Sequence, residues 1–233
     1  MQEWFLRIAD QFNQSFIYKD RWKLYLDGLG ITLEVSLFSA LIGLVLGIFV
    51  ALMRLSQKED GRSTILSKIA GAYIDVIRGT PAVVQLLIMW FIIMNNSKNG
   101  ILVASISFGI NSGAYIAEIV RAGILAVDKG QTEAGRSLGL SNAQTMIYII
   151  IPQAIKNVLP PICNEFVTLI KETAIIGYVS LDDLTRVANQ ITSASYNAFM
   201  PLIIAAVIYF VIIKILTLLI GKLERRLRKS DNR

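Results

Sequence analysis

Histidine is absent from the 233 residues, and cysteine occurs once, as Cys163. The first absence removes Ser-His-Asp and Cys-His catalysis together with every His-ligated metal site. The second rules out an intrachain disulfide. Charge is scarce too: 17% of residues are charged, where a soluble domain carries about 25%. No Gly-x-x-x-x-Gly-Lys-Ser/Thr run occurs, so the chain has no P-loop with which to bind ATP. What it has in quantity is apolar surface, 54% of residues, with a mean hydropathy of +0.56. That excludes a disordered chain and points to a membrane protein. Each crossing helix needs roughly 20 apolar residues, so a chain of this length holds about four to six in one membrane domain.

Lys plus Arg number 23 and Asp plus Glu 17, a formal net charge of +6. The excess sits in tails and loops beside apolar runs, which reads as the positive-inside signature rather than as a nucleic-acid surface. The first ten residues carry Glu3, Arg7 and Asp10 where a signal peptide would need its apolar core, so no cleaved leader is expected.

Residues 1–27 form a lead-in in which Trp4, Phe5, Ile8, Phe12 and Phe16 recur at helical spacing among charges. Two readings fit: an amphipathic helix on the membrane surface, or a segment packed on the first span. Residues 28–225 make up the membrane domain, with spans expected over Leu29–Leu52, Gly71–Met94, Ile101–Val127, from about Leu159 to Leu181, and Ala198–Gly221. Gly43 and Gly47 in the first span have the small-xxx-small spacing that admits another helix closely. Gly79-Thr80-Pro81 breaks the second, and Pro152, Pro160 and Pro161 are expected to break the stretch leading into the fourth. Five spans place the termini on opposite sides. With the basic tail, residues 226–233, in the cytoplasm, the loops Arg54–Lys68 (with Lys58 and Arg62) and about 128–145 are cytoplasmic, and the outward turns hold only Lys98 and Arg186. The four cations of the lead-in fit this poorly.

Two polar groupings suggest ligand chemistry. Glu165, Thr168 and Glu172 stand at i, i+3 and i+7 and so share a helix face. Carboxylates facing lipid cost a few kcal/mol each, about 2.5–3.5 for Asp on insertion scales, so this face should point into the bundle, where a ligand ammonium is a natural counter-charge. Internal pairing is the alternative, for instance of Lys171 with Glu118 or Glu172. Arg78 beside the Gly-Thr-Pro break offers a cation and freed backbone groups at membrane depth, suited to a carboxylate; a salt bridge to Asp75 is its alternative.

The loop 128–145 contains apolar residues at helical spacing. The segment from Gly130 reads as a short helix, with Gly139 as its stop and Ser141 as the cap of a new helix. Leu138, Leu140 and Met146 then offer apolar knobs to a groove on a soluble partner, or pack on the chain's own spans.

The run Glu133-Ala134-Gly135, then Gly139, then Ile149-Ile150-Ile151-Pro152 resembles the EAA loop of ABC importer permeases, with Gly135 where alanine is usual and Ile151 where leucine is usual. Arg78-Gly79-Thr80-Pro81 followed by Gln85, Gly113–Arg121, and Leu159-Pro160-Pro161 with Asn164-Glu165-Phe166 and Lys171-Glu172-Thr173 narrow the resemblance to the polar amino acid permeases, over roughly residues 28–225. Glu172-Thr173-Ala174 stands where the family usually has Asp-Thr-Ser. The resemblance implies an all-α, five-span bundle of the type I importer kind, with a cytoplasmic coupling helix. It implies that Glu133, Ala134, Gly135, Leu138, Gly139, Leu140 and Ser141 dock on an ATP-binding cassette subunit, present in two copies and using ATP with Mg. It implies a second permease subunit, identical or homologous, and an extracytoplasmic binding protein that delivers the amino acid. The family pocket lies between the second and fourth spans, which suits Gln85, Glu165, Thr168 and Glu172; with Arg78 these are the candidate substrate-binding residues. No catalytic residue, no metal, no cofactor held by this chain and no nucleic acid are expected, and the location implied is the bacterial cytoplasmic membrane. An ion-coupled carrier would show an inverted repeat of spans, an intramembrane enzyme a nucleophile with a base; neither pattern is evident. A purely structural membrane subunit is the remaining rival.

Overall fold

The computed structural model describes residues 2–56 and 63–229. Lys58, Arg62 and the end of the basic tail from residue 230 lie outside them. Among the described residues the order is α1 (Gln2–Phe12), α2 (Arg21–Leu55), α3 (Ile65–Arg78), α4 (Ala82–Ile88), α5 (Gly100–Leu125), α6 (Lys129–Ser137), α7 (Asn142–Thr145), α8 (Ile151–Glu172), α9 (Leu184–Ser195) and α10 (Phe199–Lys229). Short π turns at Asn13–Ile17, Met89–Ile93 and Met146–Ile150, and 3-10 turns at Tyr18–Asp20 and Thr173–Val179, join or extend them. Among the described residues four helical stretches are long and apolar enough to cross a membrane: one containing α2, then α5, the continuous run Asn142–Val179, and α10. A fifth is present if α3 and the helix after its break count as one span.

The start of α2 is buried inside out relative to a helix of a soluble protein. Along the first part of α2, Thr32, Ser36 and Ser39 are fully buried, whereas Leu26, Leu37 and Phe38 on the other faces are about half exposed. Hydroxyls turned inward and aliphatic side chains turned outward are what lipid as solvent demands, since hydrocarbon costs an exposed apolar group nothing and an unpaired polar group several kcal/mol.

The chain falls into two compact units. The first comprises residues 1–39, 82–108 and 167–216, the second 40–81, 109–166 and 217–233. In the first unit, Tyr25 of α2 packs with Leu184, Val187, Ala188 and Ile191 of α9 and with Met200, Ile204 and Ala205 of α10; Ile8, Phe16 and Leu29 close over this core. The Leu184 amide donates to Thr32 Oγ1 at 3.3 Å, and Thr185 and Tyr209 share a hydroxyl contact of 3.2 Å. Asp183, fully buried, caps α9 by accepting from the Thr185 and Arg186 amides at 2.9 and 3.2 Å.

In the second unit, α5 presses against α2 where the glycines make room. A Cβ at Gly43 would stand 3.0 Å from Ser112 Cβ, and one at Gly47 would stand 2.7 Å from Ile116 Cβ and 2.9 Å from the Gly113 carbonyl. The small-xxx-small spacing thus marks a real helix crossing. Val50, Ala51, Ala70, Ile74 and Ala117 form the core below it. The expected break after α3 is present, and its loose backbone groups are bonded locally: the Gly79 amide donates to the Asp75 carbonyl at 2.9 Å, and Thr80 Oγ1 to the Val76 carbonyl at 2.9 Å.

One expectation is corrected. Pro160 and Pro161 do not break the helix; α8 runs through both. Proline's fixed φ is compatible with a helix, and what it costs is backbone hydrogen bonds, so buried packing on either side of the pair, at Ala154 and Val158 and at Val167, Leu169 and Ile170, outweighs it. Pro152, in the first turn of α8 where the ladder changes from π to α, does not interrupt the run either, so one stretch, Asn142–Val179, replaces the loop-side helix and separate span expected from about Leu159.

Candidate functional site

The second unit gathers polar side chains along α5. Asn111 and Ser112 are buried, and Ser112 Oγ donates to Glu165 Oε1 of α8 at 3.0 Å. One turn on, the Tyr115 ring lies under the Arg78 guanidinium, 5.2 Å from its centroid. A further turn down, Arg121 clasps Glu118 with two hydrogen bonds of 2.5 and 3.0 Å. Apolar Ala114, Ile116 and Ala117 are buried among them, so the line is a polar seam in an otherwise apolar helix.

The contacts of these residues differ from the internal pairings considered for them. Among the described residues no ion pair links Arg78 to Asp75; Arg78 stacks on Tyr115 instead. Glu118 is occupied by Arg121, and Lys171 is exposed without an ion pair to Glu172. Of the five predicted ligand residues, Arg78 and Glu165 belong to the second unit and are each tied to α5, by way of Tyr115 and Ser112. Gln85, Thr168 and Glu172 belong to the first, each of them half-buried. Directly after Glu172 the α-helix tightens to 3-10 geometry, with Thr173 Oγ1 donating to the Ile170 carbonyl at 2.9 Å and lying 3.5 Å from Ser36 Oγ. A cavity of about 570 Å³ opens between this turn and α9. Its walls include Gly177, Tyr178, Arg186, Asn189 and Gln190, and none of the five predicted residues.

Ser112 was missed by reasoning from sequence, and Tyr115, though noted in the third span and in its motif, was given no role. The signal for both is a period of three, Ser112, Tyr115, Glu118 and Arg121, in a run whose other positions are small or apolar.

The elbow between α6 and α7 is built from local chemistry. Asp128 caps α6, accepting from the Gly130 amide at 2.6 Å. Gly139 ends it at φ +83°, and the amides of Leu140 and Gly139 reach back to the carbonyls of Gly135 and Arg136 at 3.1 and 3.0 Å, a Schellman closure. Ser141 opens α7 with a reciprocal capping box to Gln144, at 2.9 and 3.3 Å. Arg136 donates to Asn142 Oδ1 across the corner, and Gln153 Nε2 to Gln131 Oε1 at 3.3 Å ties α8 to α6. Gly135 is the buried contact: a Cβ there would come 2.8 Å from Thr145 Cγ2 and Ile149 Cδ1. Glu133, Ala134, Gly139 and Ser141 are exposed, Leu140 is half-buried, and Leu138 is 81% exposed, the largest bare aliphatic side chain of the corner. Among the described residues no cluster of His, Cys, Asp and Glu suited to a metal ion occurs.

The family model described as binding-protein-dependent transport system inner membrane component matches residues 43–229. The arginine transport system permease protein ArtQ of Bacillus subtilis (strain 168) is 42% identical over 209 residues, covering 88% of this chain and 93% of that relative. The putative glutamine transport system permease protein GlnP of Rickettsia bellii (strain RML369-C) is 37% identical over 204 residues, 86% and 91% of the two chains. A chain from the crystal structure of an amino acid ABC transporter with histidines superposes with a TM-score of 0.81 at 44% identity, covering 88% of this chain and 94% of that one. A chain of the MetNI methionine ABC transporter, 20% identical, shares the fold with a TM-score of 0.78 over 90% of this chain and 98% of its own. Four motifs in order, a polar seam inside an apolar bundle and likeness along nearly the whole length converge: the chain belongs to the family of binding-protein-dependent transport system inner membrane components.

Proposed function

We propose that this chain is the membrane-spanning permease of an ATP-driven importer of a polar amino acid. Its spans form the translocation pathway, a separate ATP-binding cassette subunit supplies the energy, and an extracytoplasmic binding protein delivers the substrate. The observation that carries the reading is the seam on α5, above all Glu165 held half-buried by Ser112. A carboxylate kept inside a membrane bundle marks a path for polar solutes. Arg78 on Tyr115 adds a cation suited to the substrate carboxylate, and Gln85, Thr168 and Glu172 are the further ligand candidates. The relatives named for arginine and glutamine and the neighbour solved with histidines support an amino acid as the cargo.

Energy would enter at the elbow, where Glu133 to Ser141 presents an exposed corner with Leu138 as its knob. The chain pairs with an identical or homologous permease and carries its C-terminus in the cytoplasm and its N-terminus outside. Differential affinity between outward-open and inward-open states then moves the ligand.

The test is uptake in proteoliposomes, with and without the ATPase subunit and binding protein, screened over the twenty amino acids. Accumulation of a polar amino acid only when both partners and ATP are present is expected. Accumulation by the chain alone would overturn the reading.

A further inference from the structure

The lead-in holds a feature that transport does not use. On α1, Ile8 points down onto the core formed by Tyr25, Leu184 and Ile204, and Phe16 of the following π turn joins it there. Met200 and Ile204 belong to that core and Leu29 packs against it, all three close to the starts of the apolar runs of α2 and α10. Packing on those residues holds α1 beside the starts of the apolar runs of α2 and α10. Trp4, Phe5 and Phe12 flank Ile8 on the same side of the helix and are 61%, 63% and 43% exposed, while Glu3, Arg7 and Asp10 occupy the opposite side. The chain then reverses through Lys19 and Asp20, both at positive φ, 51° and 56°. The reversal sets three cations beside aromatic rings: Lys19 and Arg21 each 5.4 Å from the Tyr18 centroid, Lys23 5.4 Å from that of Trp22. Trp22 also heads the outward stripe of α2 that continues through Leu26 and Leu37.

We propose that residues 4–23 are a lipid-binding anchor: the rim Trp4, Phe5, Phe12 and Trp22 seats among phospholipid headgroups, and Lys19, Arg21 and Lys23 meet their phosphates. Tryptophan and tyrosine favour that layer because their rings are apolar and their N–H and O–H groups are not. Lysine and arginine beside them complement phosphate charge. Phospholipid is the occupant because the rim is continuous with the outward, lipid-facing stripe of α2. The two sequence readings of this segment merge, the same helix packing on the spans with Ile8 and meeting lipid with its shoulders.

The chain has three tryptophans, Trp4, Trp22 and Trp90, which makes the test direct. The full chain carrying Trp22→Phe and Trp90→Phe, reconstituted in nanodiscs, reports on Trp4 alone. Lipids brominated near the headgroup end of the acyl chain should quench its emission at least twofold more than lipids brominated near the chain terminus, and aqueous iodide should quench it weakly. Dominant quenching by iodide would place Trp4 in water and overturn the proposal. Protection from both quenchers would mean that a second copy or another protein covers the rim, and would overturn it equally. For the basic arm, native mass spectrometry of the detergent-solubilised chain with added phosphatidylglycerol should show retained lipid that Arg21→Gln/Lys23→Gln loses by severalfold; equal retention would remove the phosphate contact.

Discussion

Ser112 of α5 and Glu165 of α8, 53 positions apart in sequence, are joined by a hydrogen bond of 3.0 Å from the serine hydroxyl to Oε1. The bond fixes where in the bundle a carboxylate of α8 is presented. A hydrogen bond to a charged group contributes about 1.5–3 kcal/mol, so Ser112→Ala should weaken the hold on Glu165. The expected outcome is a severalfold rise in the amino acid concentration needed for half-maximal uptake, with insertion and subunit assembly intact. Uptake kinetics identical to the parent would detach Ser112 from the transport path.

Arg78 rests on the face of Tyr115, a cation–π arrangement of about 0.5–1 kcal/mol at an accessible site. Tyr115→Phe retains the ring and should transport normally, whereas Tyr115→Leu should slow uptake a fewfold. The contrast between the two variants is the measurement: equal losses would point to the tyrosine hydroxyl rather than the ring.

Gly139 has φ +83° and open space where a Cβ would stand, so replacing it changes backbone energy and little else. A left-handed residue other than glycine costs about 1–2 kcal/mol. Gly139→Val should loosen the corner between α6 and α7, seen as faster limited proteolysis there and reduced co-purification of the ATPase subunit. Gly139→Asn, which tolerates this region better, should lose less.

Glu133 is exposed on α6. Charge reversal by Glu133→Lys should abolish co-purification of the ATPase subunit while the chain still inserts into the membrane. Undisturbed co-purification would exclude this carboxylate from docking.

Asp183 caps α9 from a fully buried position, and burial pushes its carboxyl above the ordinary value of 3.8, while the Thr185 and Arg186 amides pull it down by less. A raised folded-state value means that the folded chain binds the proton more tightly than the unfolded one. Stability from this group is therefore present in acid and declines as pH rises from 3.8 through the raised value, then stays level. Asp183→Asn keeps a capping oxygen and removes the titration. The melting temperature of the parent minus that of the variant should fall across that window, and a difference flat with pH would contradict the assignment.

Local chemistry was the legible part of the chain. Gly43 and Gly47, the break at Gly79-Thr80-Pro81, and the stop and cap at Gly139 and Ser141 were each readable because a few adjacent residues decide the outcome. Pro160 and Pro161 were misread because the packing that carries α8 through them comes from residues distant in sequence. That Glu165, Thr168 and Glu172 lie on one helix was legible from their spacing, although that helix starts earlier than expected and passes through the prolines. What spacing did not supply was α5: that Ser112 would reach Glu165, or Tyr115 would replace Asp75 as the neighbour of Arg78, depends on which helices meet.

The corner at Gly139 has a mechanical consequence. Its two arms are braced on both sides, by backbone bonds returning to Gly135 and Arg136, by the reciprocal cap at Ser141, and by the Gln131–Gln153 strut. In the proposed transport cycle a thrust on the outer side of α6 would pass through these braces, acting as a bracket, and through the π turn Met146–Ile150 to the start of α8. The helix that bears Glu165 and Glu172 begins at that bracket.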